Sequence, residues 1–274
     1  MAIEIIEQLR PRGECEFVSE FSSIMPVIAF LSMLDLPLSD APVLKELTGM
    51  QTPANNPKAI EAGKKITEYV KHWIAKRKAE PGKDLVSTIV QAQINGRPLD
   101  DEEVLNMCQL VIAGGLDTVM IMTSFTARHL ARHPEDRKFL REHPEKIPQA
   151  VEEFARRFGT SNLAREVRAD LVYHGISMRK GEQVLMPLPL YGLDDRINAD
   201  PMRVDFNRAS VQHSAFGVGP HTCPGAVLAR REIIIFLQEW LTRIPEFRIK
   251  PGTKTNVTMG VVNGISNLQL EWTP

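Results

Sequence analysis

The hydrophobic and polar positions of this chain follow a helical period over most of the first 158 residues and alternate over short runs after that. Helices are predicted at 16–34, 42–50, 57–79, 83–94, 101–132, 134–142, 148–158 and 226–240. Strands are predicted at 163–167, 171–173, 183–186, 247–249, 257–262 and 268–272, with turns at 174–175 and 180–181. No repeat, low-complexity tract or linker divides the chain. The pattern therefore predicts one domain over residues 1–274, mainly α with small β-sheets.

The longest predicted helix, 101–132, contains no proline and would be roughly 48 Å long. Its middle is apolar on every side, so we expect it to be central and buried, and too short and interrupted to span a membrane. Asp117 and Thr118 are the exceptions, since a buried carboxylate costs several kcal/mol unless it is paired or functional. Gly114 and Gly115 lower helix stability, and together these residues indicate a local opening of the helix. A satisfied polar kink is the alternative.

Composition excludes several classes of function. The chain has 274 residues, 43% of them hydrophobic, enough to bury a sizeable core. Lys and Arg number 33 against 34 Asp and Glu, so the bulk charge indicates neither nucleic acid nor an anionic membrane as partner. The start shows no secretory signal. The three cysteines lack metal-ligand spacing and cannot all pair, which favours a cytoplasmic location, with Cys15 and Cys108 as small hydrophobic residues.

The segment from Phe216 to Gly225 reads Phe-Gly-Val-Gly-Pro-His-Thr-Cys-Pro-Gly and carries the most specific chemistry. It places Cys223 after a glycine-rich loop and at the start of the helix 226–240. The unpaired N–H groups and partial positive charge of a helix N-terminus favour a thiolate there. The glycines let the backbone turn sharply and approach a large flat group, so Cys223 suits an axial ligand of heme iron. The alternative is a structural cysteine beside an ordinary loop.

A third motif lies on the predicted helix 148–158, where Glu153 and Arg156 are three residues apart. Residues at this spacing are neighbours on a helix and can form an ion pair. On most helices such a pair is solvated and contributes little, so the pattern is weak by itself.

Together, the three motifs F-G-x-G-x-H-x-C-x-G, A-G-G-x-D-T and E-x-x-R resemble those of the cytochrome P-450 family in order and spacing. Further runs resemble the subfamily of the bacterial camphor monooxygenase: 93–98, 191–196, 213–219, 228–232 and 241–245. The likeness extends from about Ile5 to Trp272, and residues 1–10 resemble the second half of an early helix of the family. The resemblance implies a heme-thiolate domain that lacks its N-terminal portion, about a third of the family's length.

The resemblance also implies heme b as cofactor and assigns residues to it. Cys223 is the axial ligand of the iron, within a loop that includes Phe216, Gly217 and Gly225. His221 and Arg165 match positions that contact the heme propionates, and the alternative for Arg165 is a solvated strand residue. Close relatives have a carboxylic residue at the position of Leu163, so one propionate contact is in doubt.

By the same resemblance, Thr118 donates a hydrogen bond during oxygen activation, Asp117 relays protons and Gly114 leaves room for dioxygen. The Glu153–Arg156 pair is buried and takes Arg208 as a third member. The positions facing the space above the heme are Leu110, Ala113, Ser161, Val261 and Val262. Several of these are alternatively ordinary core, but an apolar pocket suits a small terpenoid or camphor-like substrate.

The function implied is a monooxygenase that hydroxylates this substrate with O2. Electrons come, in relatives, from a [2Fe–2S] ferredoxin and an NADH-dependent reductase. The alternatives are a truncated, inactive fragment or a heme-binding module without turnover. A thiolate-heme sensor has only Cys223 in its favour.

Pro224 departs from the family's pattern. Backbone N–H groups after the cysteine ordinarily donate hydrogen bonds to its sulfur, and proline has no N–H. We therefore expect a more electron-donating thiolate and a lower iron potential.

Overall fold

The computed structural model describes residues 1–51 and 58–274, and it confirms the mainly α fold with small β-sheets. The helices are α1 (Ala2–Leu9), α2 (Met25–Met33), α3 (Ala41–Gln51), α4 (Ala59–Ala79), α5 (Leu85–Val90), α6 (Asp101–Arg132), α7 (Pro134–Glu142), α8 (Ile147–Phe158), α9 (Leu188–Gly192) and α10 (Ala226–Arg243). The strands are β1 (Glu14–Glu16), β2 (Gln93–Ile94), β3 (Arg97–Pro98), β4 (Asn162–Glu166), β5 (Leu171–Tyr173), β6 (Ile176–Met178), β7 (Gln183–Pro187), β8 (Arg248–Ile249), β9 (Asn256–Thr258), β10 (Gly264–Asn267) and β11 (Gln269–Glu271).

The strands pair antiparallel in small sheets. In the three-stranded sheet, β11 lies between β1 and β8, and Cys15 is opposite Leu270. The other pairs are β2–β3, β4–β7, β5–β6 and β9–β10. The hairpin β5–β6 turns through His174 and Gly175, both at positive φ, as the predicted turn requires. The early strand β1 therefore docks on the last strand and ties the two ends of the described chain together.

The long helix α6 connects two hydrophobic cores. It starts with a capping box in which Asp100 and Glu103 each accept the other's backbone N–H at 2.9 Å. Its first half packs with α2, α3, α4 and α5, and its second half packs with α7, α8 and α10. By length and apolar composition alone α6 is sufficient to cross a membrane, so the prediction that it is too short was wrong. The two cores give it the position of a central helix.

Four aromatic rings fix the start of the chain against α10. Phe17 and Phe21 lie 5.0 and 5.1 Å from Trp240, centroid to centroid, and Phe17 lies 5.6 Å from Phe236. All four side chains are fully buried. Contacts of this kind contribute about 0.5–1.5 kcal/mol each beyond their buried area. They hold α10, and with it the loop before this helix, at a fixed place in the molecule.

Several predicted elements differ in extent. The helix predicted at 16–34 is interrupted, because the Glu16 carboxylate accepts the backbone N–H groups of Ser19 and Leu268 and ends β1 there. The helix predicted at 83–94 ends at Val90 and gives way to β2. In the strand predicted at 257–262, pairing stops at Thr258, and residue 262 makes only an isolated bridge. The predicted start of the third helix, Pro57, lies outside the described residues. The sequence did not predict β1, β2, β3, β6, α9 and β10.

Candidate functional site

The cysteine loop is a compact turn that presents Cys223 at the N-terminus of α10. The Cys223 N–H donates to the carbonyl of Phe216 at 2.7 Å, and the Gly217 N–H donates to Ser214 at 2.8 Å. Gly217 has φ +70°, and a Cβ there would lie 2.8 Å from the carbonyl oxygen of His221. The loop conformation therefore requires glycine at 217. The Cys223 side chain is exposed, so its sulfur is available as a ligand.

One face of α6 is open, which corrects the prediction that this helix is buried on every side. Leu110 is 62% exposed, and Ala113 and Gly114 are also exposed. A Cβ on Gly114 would meet nothing within 4 Å. This face of α6 is therefore apolar, although no other part of the described chain covers it.

The predicted local opening of α6 is also wrong, since residues 101–132 are helical throughout. The Thr118 hydroxyl donates instead to the carbonyl of Gly114 at 2.9 Å, one turn earlier. Asp117 is half-buried, and burial raises the pKa of its carboxyl, opposed by the charge of Lys45. Such a carboxyl holds a proton more readily than a surface aspartate does.

Three of the predicted pocket residues come together where two distant segments meet. Ser161 bridges Val262, and the Asn162 N–H donates to the carbonyl of Val261 at 2.7 Å. Val261 is 56% exposed. The structure thus brings Ser161, Val261 and Val262 side by side on an accessible edge.

Close contacts tie this edge to α6 and to the cysteine loop. A Cβ on Gly264 would lie 3.4 Å from Cδ1 of Ile121, one turn beyond Thr118. A Cβ on Gly159 would lie 3.6 Å from Cβ of Ala215, at the base of the cysteine loop. The segments on either side of the valine edge therefore contact α6 and the base of the cysteine loop. The exposed groups of the candidate site are the Cys223 thiol, the uncovered apolar face of α6 and the valine edge. These groups fit a large, flat, apolar cofactor held by a thiolate.

The remaining predicted heme contacts lie in the cysteine loop and on β4. His221 is exposed in the short turn Gly219–His221. Arg165 lies on β4 opposite Val184, and its guanidinium donates only to the neighbouring carbonyl of Ala164 among the described residues. Both groups therefore remain free to meet an anion. Leu163 is half-buried on the same strand.

Glu153 and Arg156 form a fully buried, two-pronged ion pair with distances of 2.7 and 2.8 Å. Arg208 approaches the same carboxylate at 3.2 Å, so the structure brings the three predicted side chains together. Arg156 also donates to the carbonyls of Gly192, Pro201 and Arg203. A Cβ on Gly192 would lie 2.6 Å from the Arg156 carbonyl oxygen. The pair thus fixes the irregular segment that leads to the cysteine loop.

A second network beneath the cysteine loop was not predicted. Glu152 accepts from Arg230 at 2.5 and 3.0 Å and lies 3.0 Å from Nε2 of His213. The Arg230 guanidinium stacks 4.3 Å above the Phe216 ring. Burial opposes ionisation of Glu152, but the hydrogen bonds from His213 and Arg230 lower its pKa to about 2. The network connects α8, the loop and α10. Glu152 had appeared in the sequence only as the neighbour of Glu153.

Comparison with known proteins agrees with this geometry. A sequence model of the family described as Cytochrome P450 matches residues 148–272. The chain is 36% identical over 263 residues to the probable cytochrome P450 127A1 of Sinorhizobium fredii, covering 96% of this chain and 64% of that protein. It is 29% identical to the steroid C26-monooxygenase of Mycolicibacterium smegmatis, covering 98% of this chain and 70% of that protein.

Two solved structures superpose along the whole chain. The crystal structure of CYP101J2 gives a TM-score of 0.90 at 39% identity, and that of CYP101C1 gives 0.87 at 40% identity. They cover 100% of this chain, which spans 68% and 70% of theirs. The chain belongs to the cytochrome P450 family, whose cofactor is heme b. The family resemblance drawn from the three motifs is confirmed.

Proposed function

We propose that this chain provides the heme-binding and oxygen-activating part of a heme-thiolate monooxygenase acting on a small hydrophobic substrate. The observation that carries the proposal is the exposed Cys223 thiol at the N-terminus of α10, and the open Gly114 face of α6 supports it. The reaction inserts one oxygen atom of O2 into a C–H bond and reduces the other to water. When bound, the heme supplies the oxygen-activating chemistry.

The protein groups have separate tasks in this proposal. Cys223 ligates the iron, while the loop glycines allow close approach of the backbone. His221 and Arg165 face the propionates as donors. The Thr118 hydroxyl can turn from the Gly114 carbonyl toward the open side of α6 and hold a proton there. Asp117, with its raised pKa, passes protons inward from solvent.

The substrate class follows from the surfaces around this space. Leu110, Ala113, Val261 and Val262 are apolar, and Ser161 is the one hydroxyl among the predicted pocket residues. Such a surface recognises shape and apolar area, which suits a terpenoid or camphor-like molecule. The name of the Mycolicibacterium smegmatis relative gives a steroid as its substrate, which supports a hydrophobic class without deciding size.

Electrons come, in this proposal, from a [2Fe–2S] ferredoxin that an NADH-dependent reductase reduces in the cytoplasm. The surface that carries Cys223 is the side on which such a partner docks, since electrons reach the iron by the shortest path there. Neither nucleic acid nor a membrane has a part in the activity.

A heme-binding protein without turnover is the second candidate. Leu110 and Val261 are each more than half exposed. If water keeps access to these apolar side chains when heme is bound, the chain binds heme without productive oxidation.

The deciding experiment is the difference spectrum of the reduced protein with and without carbon monoxide, after heme is supplied to the purified chain. A strongly red-shifted carbonyl Soret band, absent in Cys223→Ser and present in Cys15→Ala, supports thiolate ligation by Cys223. A band typical of histidine or thiol ligation, or no heme uptake, contradicts the proposal. If the red-shifted band appears but no substrate is oxidised in the presence of ferredoxin and reductase, the result supports a heme-binding protein without turnover.

A further inference from the structure

A cluster of metal-ligand side chains lies at the corner between α6 and α7, on helix turns outside the heme region. His129 is in the last turn of α6, His133 ends this helix, and Asp136 is in the first turn of α7. One donor atom from each residue lies within 4.8 Å of the others. The spacing His-x3-His-x2-Asp arises because one residue, His133, separates the two helices.

His129 is held in place before any ligand arrives. Its ring centroid lies 5.7 Å from that of Phe154 and 5.6 Å from that of Phe158. Its Nε2 lies 2.6 Å from a carboxylate oxygen of Asp136. The His129 side chain is 10% exposed, so neighbouring rings rather than solvent set its orientation. A pre-oriented imidazole loses little entropy when it binds a cation.

His133 supplies the second imidazole. Its ring stacks on His129 at 4.3 Å, and its Nδ1 lies 3.1 Å from a carboxylate oxygen of Glu135. The side chain is 46% exposed and can rotate toward Asp136. Donors around tetrahedral zinc lie about 3.3 Å apart, given bond lengths of about 2.0–2.2 Å. A rotation of His133 is therefore enough to bring the three donors to this spacing.

The surroundings leave room for a fourth ligand. The cluster lines a groove of about 400 Å³ that also includes Phe125, Arg128, Arg132 and Arg157. Two imidazoles and a carboxylate are a ligand set that zinc accepts, with water in the remaining position. The carboxylates of Asp136 and Glu135 offset the charge of the ion, while the arginines that line the groove, Arg128, Arg132, Arg157 and Arg203, oppose it.

We propose that His129, His133 and Asp136 form a binding site for a divalent cation of the zinc class, which links the end of α6 to the start of α7. The site is separate from the chemistry of Cys223. Its effect is structural, since the bound ion holds the helix corner that supports Phe154 and the buried Glu153–Arg156 pair on α8.

The test is a titration of the purified chain with Co²⁺ as a spectroscopic substitute for Zn²⁺, followed by calorimetry with Zn²⁺. We expect one bound ion, visible d–d bands without thiolate charge-transfer bands, and a rise of the melting temperature. His133→Ala and Asp136→Asn, which leave the packed His129 ring in place, each weaken binding at least about tenfold. His143→Ala is the matched control, because His143 contacts Glu145 in a similar exposed pair at the other end of α7.

Two further variants locate the bound ion. Arg132→Gln removes an opposing charge from the groove, so it tightens Zn²⁺ binding several-fold if the ion is held here. Cys223→Ser leaves the affinity unchanged. The proposal is overturned if binding is lost in Cys223→Ser, if it survives both His133→Ala and Asp136→Asn, or if the wild-type chain binds no Zn²⁺. In the last case His129 and Asp136 form only a hydrogen bond across the helix corner.

Discussion

Phe30 of α2 packs directly on Gly115 of α6, so closely that a Cβ at residue 115 would lie 2.3 Å from the ring. The preceding glycine, Gly114, would direct its Cβ into open space. The two neighbouring glycines therefore have different tasks. Gly115 lets α2 and α6 approach each other closely, and Gly114 keeps one face of α6 free beside Thr118.

This difference predicts opposite effects of alanine at the two positions. Gly115→Ala forces Phe30 to move and should lower the free energy of unfolding by about 1–3 kcal/mol. Gly114→Ala meets no atom and should leave it unchanged or raise it by up to about 1 kcal/mol, because alanine favours the helix. Urea unfolding of both variants measures the difference. Equal losses in both would contradict the contact with Phe30.

The buried Glu153–Arg156 pair predicts a large loss of stability when one partner is neutralised. Glu153→Gln leaves Arg156 charged without its carboxylate and should cost about 3–5 kcal/mol. The control is Asp194→Asn, which weakens the pair with Arg196, where the arginine side chain is 85% exposed, and should lower the melting temperature only slightly. Thermal unfolding of the two variants decides, and similar melting temperatures would argue against a structural role for the pair.

Glu232 on α10 predicts a pH-dependent stability. It is buried, and Oε1 has no hydrogen-bond partner within the described chain. Burial raises its pKa to about 7. At pH values below about 7 but above the ordinary pKa of 4.5, the folded protein therefore keeps this carboxyl protonated, whereas an unfolded glutamate is ionised. The contribution of Glu232 to the free energy of unfolding is therefore complete below about pH 4.5. It is lost as the pH rises toward 7.

Glu232→Gln removes this titration. The variant should exceed the wild type by about 3 kcal/mol in free energy of unfolding at pH 8, and by less than about 1 kcal/mol at pH 5. Glu102→Gln, at an exposed position of α6, is the control and should show the same small difference at both pH values. A gain for Glu232→Gln that does not depend on pH would rule out burial of the charge as its cause.

Pro224 predicts a low reduction potential of the heme-loaded protein. It follows the proposed ligand Cys223 directly and has no N–H to donate to the sulfur. Pro224→Leu restores a donor, draws charge from the sulfur and should raise the potential. Pro220→Leu, in the same loop but before the cysteine, should leave it unchanged. Potentiometric titration compares the two, and a Pro224→Leu value at or below that of the wild type refutes the expectation.

The position of Thr118 leads to a prediction about coupling, that is, the share of NADH electrons that ends in substrate oxidation rather than in peroxide. Thr118→Ala removes the hydroxyl that lies beside the open face of α6 and should increase the peroxide formed per NADH consumed. Thr118→Ser keeps the hydroxyl and should behave as the wild type. Peroxide and NADH are measured together with a ferredoxin and its reductase. If Thr118→Ala forms no more peroxide than Thr118→Ser, the assigned role is wrong.

The sequence by itself determined the long elements and the motifs. The helices α6 and α7 begin and end where the pattern predicts, because caps, prolines and a helical period all lie within a single segment. The positions of Cys223, Thr118 and Glu153 were readable from local spacing for the same reason. The short strands were harder, since β1 and β10 exist only through partners far away in the chain.

Tertiary structure decided which sides of these elements are covered. An apolar period predicts burial but cannot tell protein from a cofactor as the covering group, so the period alone missed the open face that the family resemblance had placed at Leu110 and Gly114. The Glu152–His213–Arg230 network joins residues that are ordinary in their own segments. Long-range packing places these side chains within hydrogen-bond distance, and no local spacing carries that information.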